Sequence, residues 1–456
     1  MKKLLLALIV VLLSACDPFQ VIPATSDVGL IPSRLAGGTI GLTTQPLSTL
    51  QPAATQLPPG TAVATAMPVT SPPRPLIKPV PRLPVGQKVT ITSIQMIDSQ
   101  TGWAVESTNH ILHTIDAGNT WQDHTPPEGA FMEGGFFASD ADTAWAVSFT
   151  QMYAPISSAV VWHTSDAGHS WQAGQPFPTN LDSHGKESPA DFFRPRQLYF
   201  VDRQTGWLLV DTYFGMQSIW ELLFRTVDGG DTWTVVNDHH TDLVETNGIG
   251  VVFIDPLTGW YGQNTIAHQW EMLRVDDLVA AGGWKLIKTF DGGRSFNASS
   301  LLPLPPELQR TEFVGKTADC GETRMLPFAP RVSGIQWTCW IYAKPRQDFN
   351  FFAISTDGGG SWHSWLASGN EFFLNALTGW RLFTPAGLSK YIQKTTDGGI
   401  TWVKIKEVAW QAAQFDFVSD QVGWAVVKNG DVTAILRTAD GGLVWAELKP
   451  RIAATQ

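Results

Sequence analysis

Cysteine is scarce in this chain: three in 456 residues, at positions 16, 320 and 339. That excludes a small scaffold built on disulfides and leaves a Cys₂ metal site short of the further ligands it would need. Basic runs are missing too, with 31 Lys and Arg against 41 Asp and Glu and a formal net charge of −10. An acidic chain without a basic stripe lacks the electrostatic footprint of nucleic-acid binding. The apolar stretch 4–13 is too short to cross a bilayer as a helix.

What the chain has is repetition. One eight-residue box, Ser/Thr-x-Asp-x-Gly-x-Ser/Thr-Trp, recurs seven times: 114–121 (TIDAGNTW), 164–171 (TSDAGHSW), 226–233 (TVDGGDTW), 289–296 (TFDGGRSF), 355–362 (STDGGGSW), 395–402 (TTDGGITW) and 438–445 (TADGGLVW). Only Phe296 and Val444 depart from it. Seven copies in one chain specify a repeat architecture. Each box has the chemistry of a tight hairpin. The carboxylate at its third position (Asp116, Asp166, Asp228, Asp291, Asp357, Asp397, Asp440) is expected to accept backbone N–H groups two or three residues on. Gly at the fifth position supplies a positive φ, and the Trp folds over the turn. No box carries the further oxygen ligands of a calcium loop, so these Asp residues are expected to be structural, with no metal and no cofactor.

A second motif keeps step with the first. A lead residue, usually Phe, precedes a Thr-Gly-Trp turn: Met96 with Trp103, Phe137 with Trp145, Phe200 with Trp207, Phe253 with Trp260, Phe373 with Trp380 and Phe417 with Trp424. The spacing is seven residues, or eight for Phe137. Trp337 or Trp340 is expected to mark the degenerate copy in the fifth unit. The two motifs hold 12 of the 20 Trp, so the aromatic wealth reads first as core. Strand-like apolar runs precede the turns. Four strands per unit and seven units predict an all-β fold, a seven-bladed β-propeller of four-stranded blades over residues 86–456. A linear solenoid fits less well, since no polar capping unit is visible at either end.

The boxes resemble the Asp-box, or BNR repeat, of sialidases and related β-propellers, where the box joins the third and fourth strands of a blade. Sialidases also place an arginine triad, a Tyr/Glu nucleophile pair and an acid Asp around the axis, with a Phe/Tyr-Arg-Ile-Pro motif near the start of the fold. That motif is absent here; Phe193-Arg194-Pro195 is its nearest approach. No enzyme is therefore expected, and the alternatives are a sialidase-like glycan hydrolase or a non-catalytic glycan-binding or adhesion module. The coupled motifs over 86–456 are similar to bacterial BNR-repeat propellers of the photosystem II assembly and stability factor type. That resemblance implies a propeller without a catalytic site, a chaperone-like module binding a membrane protein.

Residues 1–15 read as a secretion signal, with Lys2 and Lys3 ahead of an apolar stretch. Its end, Leu13-Ser14-Ala15-Cys16, resembles the lipobox of bacterial lipoproteins, which implies a lipid on Cys16 and a membrane tether. Residues 16–85 form a disordered linker, rich in Pro and Thr with Phe19 as its one aromatic, since such a stretch cannot bury enough surface to fold. The expected location is extracytoplasmic, at the cell surface or in the periplasm. In that oxidising setting Cys320 and Cys339 are expected to form a disulfide, holding an inserted loop rather than the ring.

A position that recurs in every blade is scaffold, so function is sought where the repeat breaks. The residue before each box (His113, His163, Arg225, Lys288, Ile354, Lys394, Arg437) recurs and reads as a basic rim position. The boxes are unevenly spaced because of insertions at 172–197, 234–248, 262–284 and 297–335, read as long functional loops. Their Arg194, Arg196, His239, His240, Trp270, Arg310 and Arg324 form the candidate partner surface. His239 and His240 are adjacent and would face opposite ways on a strand, which argues against a shared metal. The expected partners are the membrane and a membrane or surface protein, with no nucleic acid, and the propeller is expected to be monomeric.

Overall fold

A computed structural model describes residues 80–454, apart from 129–130, 132, 150–157, 181–192, 215–218, 239–249, 263–272, 275–282, 307–314, 330, 342–346, 368–370 and 385–388. The chain divides into two units, Met1–Met67 and Pro68–Gln456; the first lies outside the described residues, and with it Cys16, the signal and most of the linker. The second unit is an all-β seven-bladed propeller with four-stranded blades.

Blade 1 runs Ile91–Met96, Gly102–Glu106, Ile111–Thr114 and Thr120–Asp123, and blade 2 runs Phe136–Ala138, Ala144–Ser148, Ser158–Thr164 and Gln172–Ala173. Blade 3 is Arg194–Phe200, Gly206–Phe214, Ile219–Thr226 and Thr234–Asp238; blade 4 is Val251–Phe253, Gly259–Gly262, Trp284–Thr289 and Ala298–Leu302. Blade 5 comprises Thr317–Ala329, Val332–Ile341, Gln347–Ser355 and His363–Ala367. Blades 6 and 7 begin at Glu371–Phe373 and Ala412–Phe417. First strands of successive blades touch one another, which places them innermost.

Each box joins the third and fourth strands, and its bonding explains every fixed position. In blade 1 the Thr114 hydroxyl donates to Asp116 Oδ1 (2.9 Å) and accepts the Gly118 N–H (3.1 Å). The Asp116 carboxylate accepts the Thr120 N–H (2.9 Å) and the Thr120 hydroxyl (2.7 Å). The N–H it accepts is thus four residues on, not two or three; blades 5 and 7 add a bond three residues on, from Gly360 and Leu443. The fourth position, as well as the fifth, has positive φ, at 64° in Ala117 and 59° in Ala167. That is why five copies read Asp-Gly-Gly.

The fourth-position peptide has two partners. In all seven blades its N–H donates to the turn between strands one and two of its own blade, as from Gly229 to the Gln204 carbonyl and from Gly358 to the Arg331 carbonyl. In four seams its carbonyl accepts the indole N–H of the preceding blade's Thr-Gly-Trp residue. Trp145 donates to Gly229 (2.7 Å), Trp207 to Gly292 (2.9 Å), Trp380 to Gly441 (2.9 Å) and Trp424 to Ala117 (2.9 Å). Three of these indoles also stack on the next blade's lead Phe, nearly parallel: Trp207 on Phe253 and Trp380 on Phe417 at 3.6 Å, and Trp145 on Phe200 at 3.9 Å. In the seam between blades 1 and 2, His124 takes the Ala167 carbonyl and Trp103 turns to the Asp140 carbonyl. Blade 2 also shifts the lead: register opposes Phe137 to Trp145 itself and leaves Ala138 in the lead position.

Across strands two and three, the residue before each box lies opposite that tryptophan, as Arg225 opposite Trp207 and Lys394 opposite Trp380. Cations stand over the rings, Lys288 at 4.7 Å from Trp260 and Lys394 at 4.9 Å from Trp380, a cation–π contact made from a part-exposed position. Blade 5 lacks both halves. Its register puts Gly334 in the tryptophan position, opposite Ile354, so neither Trp337 nor Trp340 is the degenerate copy. Phe328 and Phe352 fill the space beside Gly334.

The insertions at 234–248 and 297–335 are in part regular. Thr234–Asp238 is the outer strand of blade 3, while Ala298–Leu302 and Thr317–Ala329 are strands of blades 4 and 5. Within 262–284, Leu273–Arg274 leaves blade 4 to pair with the first strand of blade 5. Cys339 is disulfide-bonded, and Cys320 stands directly opposite it in the pairing of the first two strands of blade 5. Those cysteines lie in the blade sheet itself, not in a loop outside the ring.

The ring closes between blades 7 and 1. Arg451–Ile452 pairs in parallel with Thr120–Trp121 on the outer edge of blade 1, and the N–H groups of Gly86 and Val89 reach the Ile452 and Pro450 carbonyls. Contacts begin before residue 86: Val80 donates to the Pro127 carbonyl and Leu83 to Asp123.

Candidate functional site

The sharpest break in the repeat lies on blade 3, at the end of its strands away from the boxes. Arg194 and Arg196 come from the first strand, Asp211 from the second and Glu221 from the third. Register sets Arg194 opposite Asp211, and Asp211 opposite Glu221. Arg194 Nε donates to Asp211 Oδ2 at 2.8 Å, its Nη2 bonds the same oxygen, and Arg196 Nη1 lies 3.6 Å from it. The Tyr261 hydroxyl of blade 4 donates to Glu221 Oε2.

Burial separates the members. The Asp211 side chain is 1% exposed, while Arg194 and Arg196 keep 33% and 30% of theirs. Glu221 and Tyr261 are buried. Asp211 Oδ1 and Glu221 Oε1 are buried without a hydrogen-bond partner among the described residues. Burial pushes both carboxyls up; Arg196 and Arg194 pull Asp211 back. Glu221, raised by burial and then by the Asp211 charge to about 8, therefore holds its proton at neutral pH. Two guanidinium groups thus meet one carboxylate, and each keeps part of its surface exposed.

The buried pair does not suit glycoside cleavage. A general acid must reach the glycosidic oxygen, and the second carboxylate must reach the anomeric carbon or its water. Asp211 and Glu221 are sealed beneath the arginines. Their chemistry is to orient and balance Arg194 and Arg196, which are the groups able to meet a ligand.

Of the candidate surface residues, the structure thus brings Arg194 and Arg196 together. Arg324 lies in the first strand of blade 5, opposite Gln336, and not in this cluster's sheet. His239, His240, Trp270 and Arg310 lie outside the described residues. The seven box carboxylates are all engaged by donors of their own turns. No group of three or more His, Cys, Asp and Glu side chains suited to a metal occurs among the described residues. Asp211, Glu221 and Tyr261 were not singled out from sequence. The available signal was an acid at the end of the apolar run 207–210 and another at the start of 222–224, on strands expected to be buried.

No family model matches the chain. A xyloglucanase from a Paenibacillus species is 26% identical over 146 residues, 30% of this chain, and the match spans only 14% of that enzyme. Among solved structures, YCF48 bound to D1 peptide aligns over 81% of this chain and 98% of its own, at 16% identity and a TM-score of 0.43. An oligogalacturonate lyase from Vibrio parahaemolyticus covers 78% of this chain and 90% of its own, at 9% identity and a TM-score of 0.48. The GH74 enzyme of Niastella koreensis covers 80% and 62%, at 11% identity and a TM-score of 0.28. These likenesses include both a peptide-bound propeller and glycan-active enzymes, and at such identities and scores they carry no argument about which of the two this chain follows.

Proposed function

We propose that this chain is an extracytoplasmic binding propeller, tethered by a lipid on Cys16 at the end of its Pro/Thr-rich linker, that holds an acidic segment of a membrane or surface protein. The observation that carries this reading is the blade 3 cluster: two part-exposed arginines set against the buried Asp211. Such a cluster recognises carboxylates bidentately and places no acid where a sugar bond could be cut. A role in assembling a membrane complex is the corresponding cellular function.

The test is capture from detergent-solubilised membranes, with the captured protein identified and its binding measured in purified form. Arg196→Glu is the informative variant, because Arg194 carries the closer contact to Asp211. It is expected to weaken binding at least tenfold without lowering the melting temperature by more than a few degrees. Unchanged binding by a folded Arg196→Glu protein, or hydrolysis of glycan by the wild type, would overturn the reading. The tether has its own check: Cys16→Ala should release the protein from washed membranes or stall it as precursor.

A further inference from the structure

Eight tryptophans belong to neither repeat motif: 162, 220, 270, 284, 337, 340, 365 and 410. Of those whose side chains are described, Trp162 and Trp365 are buried and Trp410 is only half-buried. Trp410 lies between the last strand of blade 6, Val403–Val408, and the first of blade 7, Ala412–Phe417. One edge of its indole meets Trp445 at 5.5 Å, nearly perpendicular, which fixes the ring against the scaffold. It lines a shallow, open groove of about 500 Å³ with Ser389, Lys390, Glu407, Val408, Ala409 and Gln411.

We propose that this groove binds a neutral oligosaccharide, a function separate from the arginine cluster. The lining joins an anchored aromatic ring to a hydroxyl, an ammonium, a carboxylate and an amide. The charges are already engaged: Lys390 Nζ donates to the Gln411 carbonyl at 2.7 Å, and Glu407 pairs with Lys404 across 2.5 Å. Gln411 Oε1 accepts the Gly430 N–H at 3.0 Å, fixing its amide. With Glu407 paired to Lys404 and Lys390 bonded to a carbonyl, a ligand without charge of its own fits these groups, and a purely apolar one would strand them. A pyranose meets both demands, laying its C–H face on the indole and its hydroxyls on the donors and acceptors around it. This is a binding surface with no bond broken.

The experiment is calorimetric titration of the full chain with cellohexaose, maltohexaose and N-acetylchitohexaose. Saturable binding to at least one is expected. Trp410→Ala should weaken it about tenfold, Trp410→Phe only a few-fold, and the exposed Glu407→Ala about three- to tenfold. The phenylalanine and Glu407 variants keep the test sound if loss of the Trp445 contact unfolds the alanine protein. None of these changes should reduce partner capture that depends on Arg196, so the two sites can fail separately. No saturable binding to any of the three sugars at millimolar concentration overturns the proposal. So does affinity that survives both Trp410→Phe and Glu407→Ala unchanged.

Discussion

Glu221 behaves unlike the box carboxylates, and the contrast shows how placement decides what an acid does. Burial raises Asp166 and Asp357, but the hydroxyl and N–H donors of their turns together outweigh it and hold each down to about 2. Such groups add stability above their unfolded pKa near 4 and lose it as pH falls through 2, an effect much reduced by solvent at these exposed turns. Glu221 runs the other way. Its folded pKa of about 8 lies above the unfolded value of 4.5, so between those pH values the folded state holds the extra proton. Stability from this site must then decline as pH rises from about 4.5 to 8. Glu221→Gln keeps the neutral hydrogen-bonding shape and removes the titration. Its melting temperature is expected to fall less than that of the wild type between pH 5 and 8, as calorimetry would show. Parallel curves would mean that Glu221 is ionised in the fold.

At the scale of strands and turns, the seam between blades depends on one indole. Trp380→Phe retains much of the stack on Phe417 and removes the N–H that serves the Gly441 carbonyl. A cost of about 1–3 kcal/mol is expected, the loss of a buried hydrogen bond with a small cavity, read from denaturant unfolding. Blade 5 has no such indole, and its paired cysteines lie across the first two strands instead. Reduction should therefore raise hydrogen exchange in 317–341 first, at a cost of roughly 3 kcal/mol on the chain-entropy model. Uniform loss of protection across the blades would contradict this. The same elements explain what could be read in advance. Box positions recur seven times and Thr-Gly-Trp positions six, so local chemistry reports them repeatedly. Gly334 was illegible because no residue marks an absent tryptophan; only its pairing with Ile354 fixes its place. The acid pair was illegible for a related reason. Asp211 and Glu221 are ten positions apart, and only the hairpin register makes them neighbours.

For the ring as a whole, the seam between blades 7 and 1 joins residues far apart in the chain. It holds the Trp424–Ala117 bond, the terminal pairing around Ile452, and Asp416, whose Oδ2 accepts the Met96 N–H of the adjacent inner strand. Asp416 is half-buried, and burial raises it to about 7 although the Met96 N–H pulls the other way. A chain ending at residue 449 loses the parallel pairing on blade 1 and the bonds from Gly86 and Val89. Limited proteolysis and hydrogen exchange should then find blades 1 and 7 loosened while blades 3 and 4 keep their protection. Equal loosening everywhere would show that closure is shared by all seams.

The four matching indole bonds all point the same way round, from one blade's tryptophan to the next blade's box. A unit of this kind carries both key and lock, so a duplicated copy fits between its parents without any compensating change elsewhere. Blade number is then set by the angle at which such head-to-tail joints close, not by coded pairing between particular blades. Descent by gene duplication becomes the economical history for such a ring. Blade 5, holding neither key nor cation, reads as a copy free to drift once its neighbours already enclosed it.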